Sequence, residues 1–397
     1  MGPQNPDGPE RMGIGRRDFL KRAAALGAGL TAALTGRSLL AAAASAATGA
    51  KDDLNREMSG EMVPRRRQGQ SALGEYTRMA YQPANTDWFA QCRFGIAAHW
   101  IAQSVPVSGP PLPFAWAVAK FDVEGFLTGI RYCGADYVLF TATHALQGLP
   151  APSKAIDRLI PNRTCRRDLL GELAYGCARR NMKFIVYYNH SCNRGDDPEW
   201  ERAVGYHGPD KQAFAENIMS IVGELGERYG KGLAAWWFDS CYSLDPSGPI
   251  NTVTTDLRGF RFPWEALAAS AKRGHAQRLI TFSAGPPPGW MFKYSEHQDY
   301  LAGEVNELRE PPQGRWAPNG LQNHRWVCLD NPAWVRGGVG TPLMPPRYSV
   351  DEVAAYLRAA RRAQTPVTFN VDVAQSGGLS GRSLRLCAAA ARKAYAM

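Results

Sequence analysis

Short β-branched and aromatic runs alternate with helix-period segments along most of this chain, and that alternation limits the possible folds. Residues 94–100, 137–141, 184–188, 233–238, 279–282 and 367–371 read as strands. Residues 122–132, 167–180, 214–229, 262–272 and 351–362 read as helices. In the first of these Phe126, Leu127 and Ile130 share a face, and in the second Leu169, Leu170, Leu173 and Ala174 do. Apolar strands separated by helices argue a parallel sheet covered on both faces. A unit of about 40 residues, repeated over roughly 310 residues, favours a TIM-type (β/α)8 barrel over a doubly wound sheet. No Gly-x-Gly-x-x-Gly turn follows the first strand, which weighs against a dinucleotide fold. The expected architecture is one α/β barrel over residues 85–390, with an irregular outer helix ring allowed.

The start of the chain reads as an address. Arg16 and Arg17 are followed by Asp18, Phe19, Leu20 and Lys21, then by a weakly apolar Ala/Gly/Leu stretch over residues 23–40 and an alanine-rich run over residues 41–47. This has the form of a twin-arginine export signal over residues 1–47. The apolar stretch is short and broken by Arg37, so no permanent membrane span is expected. Residues 48–84 are polar and mixed in charge and read as a linker or arm. The expected destination is periplasmic or secreted, with the twin-arginine machinery as a transport partner.

Lys and Arg number 46 against 36 Asp and Glu, for a formal net charge of +10. The basic residues are spread along the chain without zinc-finger or helix-turn-helix spacing, so a nucleic-acid partner is not expected. The eight cysteines form no Cys-x-x-Cys pair, and neither a zinc cluster nor an iron–sulfur, haem or molybdenum-type pattern is present. No cofactor is expected, and both disulfides and buried free thiols remain open.

If the strands form a barrel, the residues at their carbonyl ends gather at one rim. His99 and Trp100 end the first strand, and His144 follows the second. Tyr188, Asn189 and His190 end the third, and Trp236, Trp237, Phe238 and Asp239 close the fourth. Aromatic rings suit the C–H faces of a pyranose, and His, Asn and Tyr suit its hydroxyls. The histidines lack ligand spacing, so no metal is expected. A carboxylate fixed at a strand end is what attack on a sugar carbon needs.

Four segments in order resemble the alpha-L-fucosidase family of retaining glycoside hydrolases. They are Arg93 to Trp100 with Ser104, Val105 and Pro106; Gly134 to His144, preceded by Phe121 and Asp122; Arg167 to Leu173 leading into Lys183 to Tyr188; and Trp236 to Asp239. Fainter likeness continues at Gln298 to Glu304, at Arg325 and Trp326, and at Phe369, Asn370 and Val371. The resemblance implies that Asp239 is the nucleophile and Glu304 the acid/base, with Glu265, Glu296, Asp299, Glu307 and Glu310 as substitutes for the latter. It implies that His99, Trp100, His144, Tyr188, His190, Trp237 and Trp326 contact an oligosaccharide or glycoconjugate substrate in exo-acting hydrolysis. Little chain remains for the β-sandwich that many members carry, and none is expected.

The chain also departs from the family pattern. One histidine, His144, stands where two are usual. The Glu-Trp pair before Phe121 is reduced to Trp116, the Arg expected near Ser283 is missing, Ser240 replaces a glycine after the nucleophile, and Val327 replaces a glutamate. These losses fall on sugar-contacting groups, so a retaining glycosidase for another sugar, or a carbohydrate-binding relative without catalysis, are the competing readings.

Overall fold

The computed structural model describes residues 83–395, apart from 194, 310 and 312. Residues 1–47, read as the export signal, and nearly all of the linker lie outside the described residues.

Eight strands form one parallel sheet: β1 (Gly95–Ala98), β2 (Tyr137–Thr141), β3 (Lys183–Asn189), β4 (Ala235–Asp239), β5 (Leu279–Phe282), β6 (Glu304–Asn306), β7 (Arg325–Cys328) and β8 (Val367–Asn370). The sheet order is β5-β4-β3-β2-β1-β8-β7-β6. It curls into an open barrel whose seam lies between β5 and β6, with no second sheet among the described residues. Around it lie α1 (Asp87–Gln91), α2 (Phe114–Lys120), α3 (Val123–Cys133), α4 (Lys154–Leu159), α5 (Leu169–Arg179), α6 (Pro198–Val204), α7 (Lys211–Tyr229), α8 (Trp264–Ala271), α9 (Val350–Arg362) and α10 (Gly381–Tyr395). No α-helix follows β5 or β6 among the described residues, so the outer ring is irregular.

The helix starts follow from local chemistry. Asp122, Asp168, Asp197 and Asp210 each cap a helix by accepting from a backbone N–H three residues on, and Ser349 with Glu352 forms a capping box. Gly134 ends α3 in the left-handed conformation that suits glycine.

Alternation along the strands sorts their side chains into two cores. Ile185, Tyr187, Ala235, Trp237, Tyr300, Ala302 and Trp326 belong to the cluster inside the curl. Phe184, Val186, Tyr188, Trp236 and Phe238 belong to the layer beneath the helices. Phe89 of α1 closes the amino-terminal mouth, its ring 5.5 Å from Tyr137 and 5.0 Å from Tyr300. Polar pairs finish this floor: His324 Nε2 meets Thr368 Oγ1 at 2.7 Å, and Tyr137 meets the same hydroxyl at 2.7 Å.

At the seam scattered bonds stand in for a ladder: Thr281 Oγ1 donates to the Tyr300 carbonyl at 2.6 Å, and Asp299 adds a cluster of its own. Asp299 accepts from the Ile280 N–H through Oδ2 and from the Ala84 N–H through Oδ1, both at 2.9 Å. Its own N–H donates to the Ile280 carbonyl at 2.8 Å. Lys272 Nζ lies 3.6 Å away as its buried counter-ion.

Candidate active site

Asp239 is the last residue of β4 and pairs in register with Asn189, the last of β3. Both side chains leave the inward face. Asp239 Oδ2 accepts from the Tyr187 hydroxyl and from Asn189 Nδ2, the latter at 3.2 Å. Asn189 Oδ1 accepts from the Ser191 N–H at 2.8 Å, which settles its amide orientation and leaves Nδ2 to face the carboxylate. Burial, and next the Asp239 charge, push the Tyr187 hydroxyl well above its ordinary range, so it stays protonated and donates. Beyond the two strand ends, Ser191 and Ser240 take positive φ, 58° and 59°. The chain thus turns sharply away and leaves Asp239 at the rim. A left-handed serine costs about 1–2 kcal/mol, which gives a physical reason for a glycine in the family pattern at the Ser240 position.

Aromatic rings line the space beside this carboxylate. Tyr187 stacks on Trp237 at 5.1 Å and on His144 at 5.8 Å. His99 stacks on Trp326 at 5.1 Å and meets Tyr187 and His144 edge-on. Trp326 stands nearly perpendicular to Trp237, with ring centres 4.7 Å apart. Its Nε1–H is buried without a hydrogen-bond partner among the described residues.

Glu304 opens β6 in register with Trp326, whose ring is inside, so its side chain leaves the same face. Trp237 Nε1 donates to the Ala302 carbonyl at 3.0 Å. Asp239 lies two residues beyond Trp237 and Glu304 two beyond Ala302, so both carboxylates stand on the carbonyl-end side of that bond, with β5 and the seam between β4 and β6. The other carboxylates named with Glu304 differ in setting. Asp299 is in the floor seam, Glu265 is exposed on α8, and Glu296 and Glu307 are exposed partners of Lys293 and Arg347. Glu310 lies outside the described residues.

Through Tyr187 the structure links Asp239 to His99, His144, Trp237 and Trp326, and Glu304 stands in register with the last of these. The structure separates three other residues from them. Tyr188 faces the outer layer, 6.2 Å from Trp236 and 6.1 Å from Phe238, and its neighbour Tyr187 takes the inward place. Trp100 is likewise outside, packed on Phe121 at 5.3 Å with its Nε1–H on the Gln375 carbonyl. His190 ties the two turns together: Nε2–H donates to the Ser240 carbonyl at 2.8 Å, and Nδ1 accepts from the Cys192 N–H at 3.1 Å. Burial pushes it down to about 4, so it is a neutral clamp. Each of these placements follows from strand alternation or from what the side chain already holds. Tyr187 and Trp334 enter the site without having been singled out from sequence. No group of three or more metal-ligating side chains occurs among the described residues.

The family model described as alpha-L-fucosidase matches residues 112–270, the span that carries His144, Tyr187, Asn189 and Asp239. No curated protein matches in sequence. Among solved structures, an endo-fucoidan hydrolase from glycoside hydrolase family 107 is similar at 11% identity and a TM-score of 0.56, over 79% of this chain and 94% of the other. The alpha-L-fucosidase AlfC from Lactobacillus casei, in complex with alpha-L-fucose product, is similar at 16% identity and a TM-score of 0.53, over 77% and 97%. A second endo-fucoidan hydrolase of family 107, MfFcnA4, follows at 15% and 0.54, over 77% of this chain and 53% of the other. At these identities the likeness speaks for the fold alone, an open α/β barrel.

Proposed function

We propose that this protein is an exo-acting retaining glycoside hydrolase of alpha-L-fucosidase type, with Asp239 as nucleophile and Glu304 as acid/base. The observation that carries the reading is the Asp239 carboxylate at the β4 rim, held through Oδ2 by Tyr187 and Asn189 under a wall of indoles. Both bonds fall on Oδ2, which leaves Oδ1 to attack the anomeric carbon. Glu304 protonates the leaving oxygen, and the glycosyl–enzyme ester then yields to a water activated by the same residue, with retention of configuration. The buried Trp326 N–H is a donor kept for a sugar hydroxyl. Support from relatives comes from the matched family model and from the fucose-bound AlfC.

The inward residues at the end of β5 are Thr281 and Ser283 rather than a guanidinium, which favours testing other deoxy- and pentose-type sugars alongside fucose. We also place the protein outside the cytoplasm, exported folded through its Arg16–Arg17 signal; no described helix is long and apolar enough to cross a membrane.

The test is hydrolysis of a panel of aryl glycosides by the full chain. Asp239→Ala should lose activity about 10²-fold or more, because the covalent step is gone. Glu304→Ala should slow poor leaving groups more than good ones and be rescued by azide. Near-normal turnover of Asp239→Ala, or inversion in the product, would refute the mechanism.

A further inference from the structure

Trp334 lies in the loop after β7, and its backbone is out of the ordinary. Its φ is +66°, a conformation that a bulky residue adopts only when its surroundings impose it. The ring stands edge-on to His99 at 5.6 Å and to Trp326 at 5.0 Å, and so forms the outer wall of the proposed sugar pocket. Its N–H donates to the Asn331 carbonyl at 3.2 Å. Its carbonyl accepts from Asn370 Nδ2 at 3.0 Å.

Asn370 ends β8 and is fully buried. A backbone carbonyl can only accept, so the atom facing Trp334 is the amide nitrogen, and the oxygen faces His99. That oxygen lies 2.9 Å from His99 Nδ1. Nδ1 therefore carries the proton, and in the neutral ring Nε2 is the acceptor. One amide thus sets the tautomer of a pocket histidine at one end and holds a left-handed tryptophan at the other. The rest of the loop is pinned to the same corner of the barrel. Asn331 Nδ2 reaches Asp372 Oδ1 at 3.3 Å, Met344 N–H reaches Asp372 Oδ2 at 3.1 Å, and Arg336 forms a buried ion pair with Asp372 at 3.2 Å.

We infer that Asn370 is a positioning residue for substrate specificity. It holds His99 as an acceptor towards a sugar hydroxyl and fixes Trp334 as the apolar wall beside it, so that the pocket is built before the sugar arrives. The inference rests on the glycosidase reading of the same site. It goes further in assigning the wall and the tautomer to one side chain that itself touches no substrate. Among the described residues, the titratable groups facing His99 include His144 and Tyr187, with Asp239 one step beyond through the Tyr187 hydroxyl.

The experiment combines Asn370→Asp, Asn370→Ala and Trp334→Ala in the full chain. In Asn370→Asp the new carboxylate still accepts from Nδ1–H, but it favours the imidazolium and repels the Trp334 carbonyl. The acid limb of kcat/KM on an aryl α-L-fucoside should move up by about one pH unit or more, because Nε2 becomes a donor over a wider range. Asn370→Ala should lower kcat/KM roughly ten- to a hundredfold. Trp334→Ala should act mainly through KM, with kcat changed less. A merely structural asparagine would change stability and leave the pH profile alone. Independently of turnover, 15N-histidine NMR should show His99 protonated at Nδ1 in the wild type and no longer so fixed in Asn370→Ala. Tryptophan fluorescence titration with L-fucose should show weaker binding in both alanine variants. If the wild type cleaves no aryl glycoside, the glycosidase reading fails, and the NMR and fucose titration still decide this one. A wild-type His99 protonated at Nε2, or an unmoved acid limb with unchanged binding across the variants, would overturn it.

Discussion

Asp330 is a carboxylate that the fold keeps short of full ionisation at neutral pH. Burial pushes its carboxyl up to about 7, against the pull of the Ser383 hydroxyl and the Asn331 N–H, while the neighbouring Asp372 pushes it further up. The sign of its effect on stability follows. The folded state holds the proton where the unfolded chain, titrating near the ordinary value of 3.8, has lost it. Its contribution is therefore complete below that ordinary value and is lost as pH rises towards 7, at most about 1.4 kcal/mol per unit of difference. His190 and His324, pushed down by burial to about 4 and about 3, act in the opposite direction: their contribution is complete above the ordinary value of 6.5 and is lost progressively as pH falls from there through those lowered values. Asp330→Asn isolates the first effect. The stability of the variant relative to wild type, followed by thermal melting, should rise steadily from about pH 4 to pH 7. A constant difference across that range would show that Asp330 titrates normally.

At the scale of elements, the seam between β5 and β6 is where this barrel departs from a closed one. A backbone ladder gives way to scattered bonds, among them those of the Asp299 side chain, which holds the Ile280 and Ala84 N–H groups and the buried Lys272 ammonium. Removing one partner of a buried pair strands the other. Asp299→Ala should cost about 3–5 kcal/mol in denaturant unfolding, and Asp299→Asn, which keeps an acceptor, should cost less. The activity of each folded molecule should survive in Asp299→Asn. A selective loss of turnover for poor leaving groups would instead make Asp299 the acid/base and remove Glu304 from that role. β6 and β7 leave little trace in the sequence, because three or four residues following glycine- and proline-rich stretches carry little periodic signal. They exist because β8 and the curl offer them an edge.

The whole molecule carries eight cysteines, all free and all buried. Burial pushes Cys92 and Cys133 up to about 12, so their thiols are poor nucleophiles as well as inaccessible. That state suits a protein that finishes folding before it meets an oxidising compartment. Two outcomes are expected. A thiol reagent should label few or none of these cysteines in the native protein and all eight after denaturation, counted by mass. Replacing Arg16 and Arg17 by lysine should hold the protein in the cytoplasm, folded. Efficient export of the double variant would point to another route, and native labelling in the exported protein would show that the thiols are not sheltered.

Some of this was decided along the chain. The alternation of apolar runs with amphipathic helices set the barrel. A carboxylate closing an apolar run placed Asp239 at a rim, and capping residues set where helices begin. Which neighbour faces the pocket was not decided there. Strands covered on both faces read as continuous apolar runs, so Tyr187 and Tyr188, or Trp236 and Trp237, look alike until the curl assigns one member to the inside. The same holds for Trp100, whose place follows from alternation against His99, and for Trp334, whose left-handed backbone depends on bonds to residues as distant as Asn370. Sequence carries local preference and period; only closure of the sheet, by bringing distant strand ends within hydrogen-bond reach, decides which side chains share a site.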